Sequence, residues 1–488
     1  MCSMISHAES RISVCFDDIV LHFQLRNVRG PQMSSFLLAL AAFQRGLEVV
    51  FHRSTLDKSD RFQGKVANGL TGDAFSISDG VETHFFNRTM GDKTTRQASI
   101  LAEDKNLTKE ALARAGVRTP QGVVVRGGDM KIADDFMSAS NSGRFVAKPL
   151  RGSLSKDTHI DISAAEVRRV IFDDPTMCSQ ANEWLVEEFI SGSELRAYVV
   201  GDKCVSAFIR LCPTVLGNGV DTIDALTEKR NKLREQSVYL SAMPFTFQPQ
   251  DILHLQRQGM SPDSVPPKGA VVQISATKVV YSGADRKNVI FNVNESFHQL
   301  AIGTCAALGL PNAGLDIIVS DDPARAGAFV LEANQRAHIA SHSFPSLGEG
   351  DSNAASESIL DWYFPESCGN RRFHAASFDF SQIIQTLQSC LVDEVRLPVL
   401  KADWHHCRAN FSDQATGEMV WNILMSVGCY GRLLNLSSGN QVADVLLSPE
   451  SQSALKRHRA RIAELSPPAE AALFSFEAEP GGQRASRV

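Results

Sequence analysis

Two periods of apolar residues alternate along this chain. After Pro31 the spacing is helical: Phe36, Leu37, Leu40 and Phe43 share one face, Gly46 ends the run, and the β-branched "EVVF" that follows reads as a strand. "DIVLHFQL" upstream predicts another strand, and "FSISDGVETHFF" alternates about Asp79-Gly80, a hairpin signal. Leu107, Ala111, Leu112 and Ala115 form the next helical face, closed by Gly116, with Pro120 leading into a strand. "RFVAKPL" predicts a strand carrying Lys148. "EWLVEEFISGSELRAYVVGDKCVSAFIRL" predicts three strand segments broken at "SGS" and "GDK". "ESFHQLAIGTCAALGLPNAGLDIIVSDD" predicts a helix, a loop and a strand, and "AFVLEAN" a buried strand.

At 488 residues the chain is too long for one core. The pattern divides into an N-terminal α/β unit (1–98), two central subdomains (99–183 and 184–367), a small α/β domain (368–465) and a tail rich in Pro, Gly and small residues, expected to be flexible (466–488). A net charge of −6 with no long basic block gives no footprint for nucleic acid. No stretch approaches a membrane span, and the first residues lack the apolar core of a signal peptide, so a cytoplasmic protein is expected. The 10 cysteines form no C-x-x-C pair and read as reduced thiols. "WHHCR" places His405, His406 and Cys407 on adjacent positions, which point in different directions and make a poor chelate.

Chemistry enters with Glu332 and Asn334. On a strand, residues i and i+2 face the same way, so a carboxylate and an amide oxygen aim at one spot. Hard oxygens converging from a rigid strand suit a magnesium ion bound to phosphates. Between residues 105 and 334 the chain also offers lysines, paired acids and arginines, the types that neutralise phosphate, accept ribose hydroxyls and grip a transferring phosphoryl group. No G-x-x-x-x-G-K-[ST] loop is present, nor H-R-D or D-F-G. Phosphates would therefore be held by side chains and a lid.

The strings "EDKNLTKEALARAGVRTP", "WLVEEFISGSELRAYVVGDK" and "GLDIIVSDD…FVLEANQR" resemble the ATP-grasp superfamily of carboxylate–amine ligases. "CPTVLGNGVDTIDALTEKRN" and "VVQISATKVVYSGADRKNV" extend the likeness in the family's order, over about residues 100 to 367. The texture is nearest to the ATP-grasp module of cyanophycin synthetase and of bifunctional glutathione synthetases. The resemblance implies an α/β ATP-grasp architecture with an N-terminal pre-ATP-grasp domain. It implies that Lys105 and Lys148 hold the nucleotide phosphates, and that Glu187 contacts the adenine amino group, with backbone groups of Glu188 and Phe189 nearby. It puts Glu194 on the ribose, Arg196 on the γ-phosphate with Arg210 assisting, and Asp316, Glu332 and Asn334 on magnesium. Arg336, His338 and His342 would line the acceptor side. Lys148, Arg196 and Arg210 are the implied catalytic residues.

Other readings stand beside these. Lys109 reads as a solvated helix residue, Arg210 equally as a surface strand residue, and each histidine equally as structural. The family's lid loop is glycine-rich, whereas "KPLRGSLSKDTHIDI" has the single Gly152, which predicts a stiffer lid. The segment from "GCYGRLLN" onward faintly resembles the second half of an acylphosphatase, with Arg408 and Asn435 as remnants of its catalytic set. It predicts a ferredoxin-like domain without phosphatase activity, used in dimerisation or substrate shaping.

The implied reaction is ATP-dependent amide-bond formation through an acyl phosphate, releasing ADP and phosphate, with Mg2+ as cofactor (two ions, Mn2+ substituting). Its substrates would be small-molecule carboxylates and amines, amino acids or small peptides, with no nucleic acid or membrane partner and a homodimer allowed. The rival readings are a nucleotide-binding regulatory pseudo-enzyme and a small-molecule kinase.

Overall fold

A computed structural model describes residues 28, 30, 32–53, 70–126, 129–150, 157–173, 183–235, 237, 239–322, 326–347, 353–369, 373–374, 376–401, 403–435 and 440–475. The predicted strand "DIVLHFQL" and the lid residues 151–156, Gly152 among them, lie outside these. The described chain divides into two compact units: 89–226 with 245–358, and 28–88 with 227–244 and 359–475. It is a mixed α/β fold, as expected, and its sheets are antiparallel.

The first unit is built on two sheets. One runs in the order Gly122–Arg126, Glu183–Glu188, Phe145–Pro149, His159–Ile162, every neighbour antiparallel. Val125, Phe145, Ala147, Trp184 and Val186 leave its inner face and pack on the helix Met130–Ala139 through Ala133 and Met137. The other runs Asp285–Asn288, Lys203–Leu211, Gly192–Val200, Asn312–Ser320, Gly327–Asn334. Away from its bulges, its strands alternate. Leu195, Ala197, Val199, Ala313, Leu315 and Ile317 point to a core closed by Phe297, Ala301, Cys305 and Leu308 of the helix Glu295–Leu308. The interleaved residues, Glu194, Arg196 and Asp316 among them, therefore face away from that core. The apolar alternation that buries this sheet is what presents its charges.

The helix Lys105–Arg114 starts where the Asp104 side chain accepts from the Asn106 and Leu107 amides and stops at Gly116, whose φ is +71°. It buries Ala111 and Leu112 on the second sheet.

In the second unit the helix Gln32–Gln44 lies by strands ordered Glu394–Arg396, Glu48–His52, Ala74–Ser78, Thr83–Asn87. The last pair is the hairpin predicted about Asp79-Gly80. The strand Glu394–Arg396 falls in the segment expected to begin a separate domain at 368, yet it pairs antiparallel with Glu48–His52. Phe378 and Phe380 lie 5.3 and 5.6 Å from Phe36, so an aromatic cluster ties this segment to the N-terminal helix.

Within residues 405–473 a three-stranded antiparallel sheet runs in the order His405–Phe411, Gln441–Leu447, Tyr430–Asn435, its two outer strands joined in sequence by the helix Gln414–Ser426. The expectation of a flexible tail is corrected over residues 466–475, and residues 476–488 lie outside the described ones. Ser466 caps a helix Pro467–Leu473, and Ala469, Leu473 and Phe474 are buried in the core of this sheet. Its composition looks loose, but a capping serine and prolines at the helix start are helix-initiating signals. His405 and His406 leave opposite sides of their strand: His405 Nε2 lies 3.2 Å from Ser475 Oγ, and His406 Nε2 2.5 Å from Asp444 Oδ1. Among the described residues no helix is long and apolar enough to cross a membrane.

Candidate active site

One cavity lies between the two sheets of the first unit. Val146, Ile160, Ile318 and Leu331 supply apolar walls, and Lys105, Lys148, Glu187, Glu194, Arg210, Asp316 and Glu332 supply charge. Glu188 and Phe189 also line it. Residues predicted from positions 105, 148, 187 to 194, 210, 316 and 332 thus converge on one space.

The carboxylate end is set by sheet register. Asp316 stands directly across from Arg196 on one side and Glu332 on the other. Arg196 Nη1 donates to Asp316 Oδ2 at 2.5 Å, and Arg210 Nη2 to Oδ1 at 2.6 Å. Burial alone would raise the Asp316 carboxyl, but Arg196 and Arg210 outweigh it and hold it below the usual carboxylate range. Arg196 crosses Gly314, where an added Cβ would stand 2.8 Å from Nη2 and 2.5 Å from the Ala337 methyl. Only a glycine leaves room for that guanidinium.

The strand of Glu332 carries a bulge. Asp316 pairs with Glu332 but Ile317 with Val330, so Leu331 is an extra residue, and Leu331 and Glu332 both reach the cavity. Burial first, then the charge of Asp316, pushes the Glu332 carboxyl up. Asn334 Nδ2 stands 3.5 Å from Asp316 Oδ2. Two carboxylates that repel in a half-buried setting, beside an amide whose oxygen can turn to the same point, fit a divalent cation, which would relieve the repulsion.

The lysine end departs from one expectation. Lys109 is not a solvated helix residue: its side chain is 16% exposed and its Nζ lies 2.5 Å from Glu187 Oε1. Lys148 Nζ lies 2.6 Å from Glu187 Oε2. Burial pushes the Glu187 carboxyl up, and Lys148 and Lys109 more than reverse this, so it is held ionised. Lys105 and Lys109 are four apart on one helix, and that spacing is the signal in the sequence that they share a face. Glu188 uses its backbone amide on the Gln121 carbonyl at 2.9 Å and its side chain on the Gln121 amide at 3.1 Å.

Glu194 lies 3.7 Å from Arg210 and 3.5 Å from Lys278, a cation that sequence reasoning did not single out. His342 is buried between Phe208 and Tyr198, and its Nδ1 is 2.9 Å from Ser206 Oγ. Burial, then Arg196, Arg286 and Arg210, hold its pKa well below the ordinary histidine value, so it is neutral. Arg336, His338 and His342 are not on the lining of this cavity, and neither are Arg196 and Asn334, which reach it through Asp316.

Residues 102–339 match the family model described as "ATP-grasp domain". The bifunctional glutathione biosynthesis protein GshAB of Mannheimia succiniciproducens is 25% identical over 349 residues, spanning 69% of this chain and 43% of that protein. Cyanophycin synthetase of Geminocystis herdmanii is 26% identical over 288 residues, spanning 58% and 32%. Among solved structures, a bifunctional glutathione synthetase from Pasteurella multocida overlaps at a TM-score of 0.47 and 23% identity, over 60% of this chain and 40% of that one. The chain spans less than half the length of these curated relatives. Its segment 102–339, just under half of the chain, matches the ATP-grasp domain family.

Proposed function

We propose that the protein is an ATP-dependent amide ligase joining a carboxylate of one small molecule to an amine of another, amino acids or short peptides being the substrate class. The observation that carries this is the facing of Lys105 and Lys148 by Asp316 and Glu332 across one cavity of an ATP-grasp domain. Lysines neutralise phosphate charge, and the acid pair with Asn334 would hold Mg2+, which supplies charge neutralisation to the phosphates when bound. The apolar walls suit a nucleobase, and the Glu194 carboxylate suits the hydroxyl donors of a ribose.

In this reading a substrate carboxylate oxygen attacks the γ-phosphorus, the bond to the β-phosphate oxygen breaks, and ADP leaves with that electron pair. The amine nitrogen then attacks the acyl carbon, phosphate departs, and the amine proton is lost to solvent. No side-chain nucleophile is required. Catalysis rests on positioning and on cations placed where charge develops: Lys148 at the phosphates and Arg210 at the transferring group, with Arg196 acting through its bond to Asp316. Asp316, which holds both arginines from one carboxylate, sets their spacing.

The test measures ADP and phosphate release with Mg2+ and ATP across pairs of amino acids, with mass detection of products and hydroxylamine trapping. A stimulating pair yielding the dehydrated adduct, and a hydroxamate from the acid alone, support the ligase. ADP release with a stable phosphorylated alcohol and no hydroxamate would make the protein a kinase. Tight ATP binding without turnover on any pair would favour a regulatory nucleotide site.

A further inference from the structure

Lys109 has no role in the function proposed above, and the cavity's lining excludes it. Yet its Nζ is 2.5 Å from Glu187 Oε1 and also donates to the Pro120 carbonyl. On the other side of the same carboxylate, Lys148 Nζ is 2.6 Å from Oε2. Glu187 is 3% exposed. Gly122 faces it across the sheet, and a Cβ there would stand 2.8 Å from Glu187 Cγ. The backbone is shaped around this carboxylate and its pair of cations.

One lysine suffices to neutralise one carboxylate. The second acquires a purpose if the first must leave. Lys148 is the one of the pair that lines the cavity, and a polyphosphate there competes with Glu187 for it. Were Lys148 the sole partner, its departure would strand a buried carboxylate, a severe penalty set directly against nucleotide affinity. Lys109, anchored at its second contact on Pro120, stays behind.

Resting on the nucleotide site proposed above, we propose that Lys109 is a positioning residue that keeps Glu187 neutralised and thereby frees Lys148 to transfer to a nucleotide phosphate. It touches no ligand. Its effect is read through the coupling between residues 109 and 187.

The experiment is calorimetric titration of the full chain with ATP and Mg2+, which requires no knowledge of the acid or the amine. Lys109→Met should weaken ATP binding by about tenfold or more, because Lys148 then remains on Glu187. Lys109→Arg, which keeps the charge, should bind ATP within about threefold of the parent. Once Glu187→Gln removes the carboxylate, adding Lys109→Met should change affinity by less than about threefold. A purely structural lysine would instead cost as much in the Glu187→Gln background as in the parent, and that result overturns the proposal. So does Lys109→Met binding ATP like the parent. Should Lys109→Met fail to fold, the double variant decides against Glu187→Gln alone: equal affinity supports the proposal and a tenfold loss refutes it. A parent that binds no ATP removes the nucleotide site itself, and is recognised before any variant is made.

Discussion

Asn334 and Asp316 are both proposed as metal ligands, yet their surroundings differ enough to separate a ligand from a structural residue. Asp316 receives two short charge-assisted bonds, at 2.5 and 2.6 Å, and its side chain is 17% exposed. Asp316→Asn leaves Arg196, itself 9% exposed, without its ion-pair partner. Removing one partner of a buried pair costs ~3–5 kcal/mol, and the 30% exposure of Arg210 brings this to roughly 2–4 kcal/mol. Asn334 is half-buried, and its contact to Asp316 is 3.5 Å, at the limit of a hydrogen bond. Asn334→Ala should therefore cost less than about 1 kcal/mol of stability. Both variants should lose the Mg2+-dependent gain in ATP affinity. Urea unfolding gives the first quantity, and ATP titration with and without Mg2+ the second. If Asn334→Ala is destabilised as much as Asp316→Asn, or keeps a parental response to Mg2+, the amide is not a metal ligand and the assignment falls.

Lys148→Ala should lower ATP affinity about tenfold or more while leaving the fold intact, since Lys109 still neutralises Glu187; unchanged ATP titration would place the phosphates elsewhere. Gly314→Ala should cost about 1–3 kcal/mol by displacing Arg196 and Ala337, and unaltered melting would show that the close approach is relieved cheaply. Because Lys148 and Lys109 hold the Glu187 carboxyl below its unfolded value, its stabilising contribution is complete above that unfolded value and is lost as pH falls through the folded one. The stability gap between parent and Glu187→Gln, measured by urea unfolding, should accordingly narrow from pH 7 towards pH 3; a gap independent of pH would refute it. Leu473→Ala should cost ~2–4 kcal/mol in thermal or urea unfolding, because Leu473 is fully buried; a flexible tail would show no change.

Local properties are legible in the amino-acid sequence alone. Alternation locates the strands that carry Lys148, Glu187, Arg196, Asp316 and Glu332, and helical spacing with Gly116 locates the helix of Lys105. The i, i+2 rule puts Glu332 and Asn334 on one face, because side-chain direction on a strand depends on the backbone alone. Pairings between segments are not legible. Lys109 looks like any solvated helix lysine until a strand far along the chain brings Glu187 against it. The bond of Arg196 to Asp316 depends on sheet register, and the bulge at Leu331 that turns two successive residues toward the cavity leaves no periodic trace. The strand Glu394–Arg396 joins residues 48–52 by hydrogen bonds from its backbone, which every residue but proline can make and which the sequence therefore does not mark. What one segment does by itself, its period, its caps and the direction of its side chains, was determined by the sequence. Which charge meets which was decided only when tertiary contacts excluded water and made the partner of each buried ion obligatory.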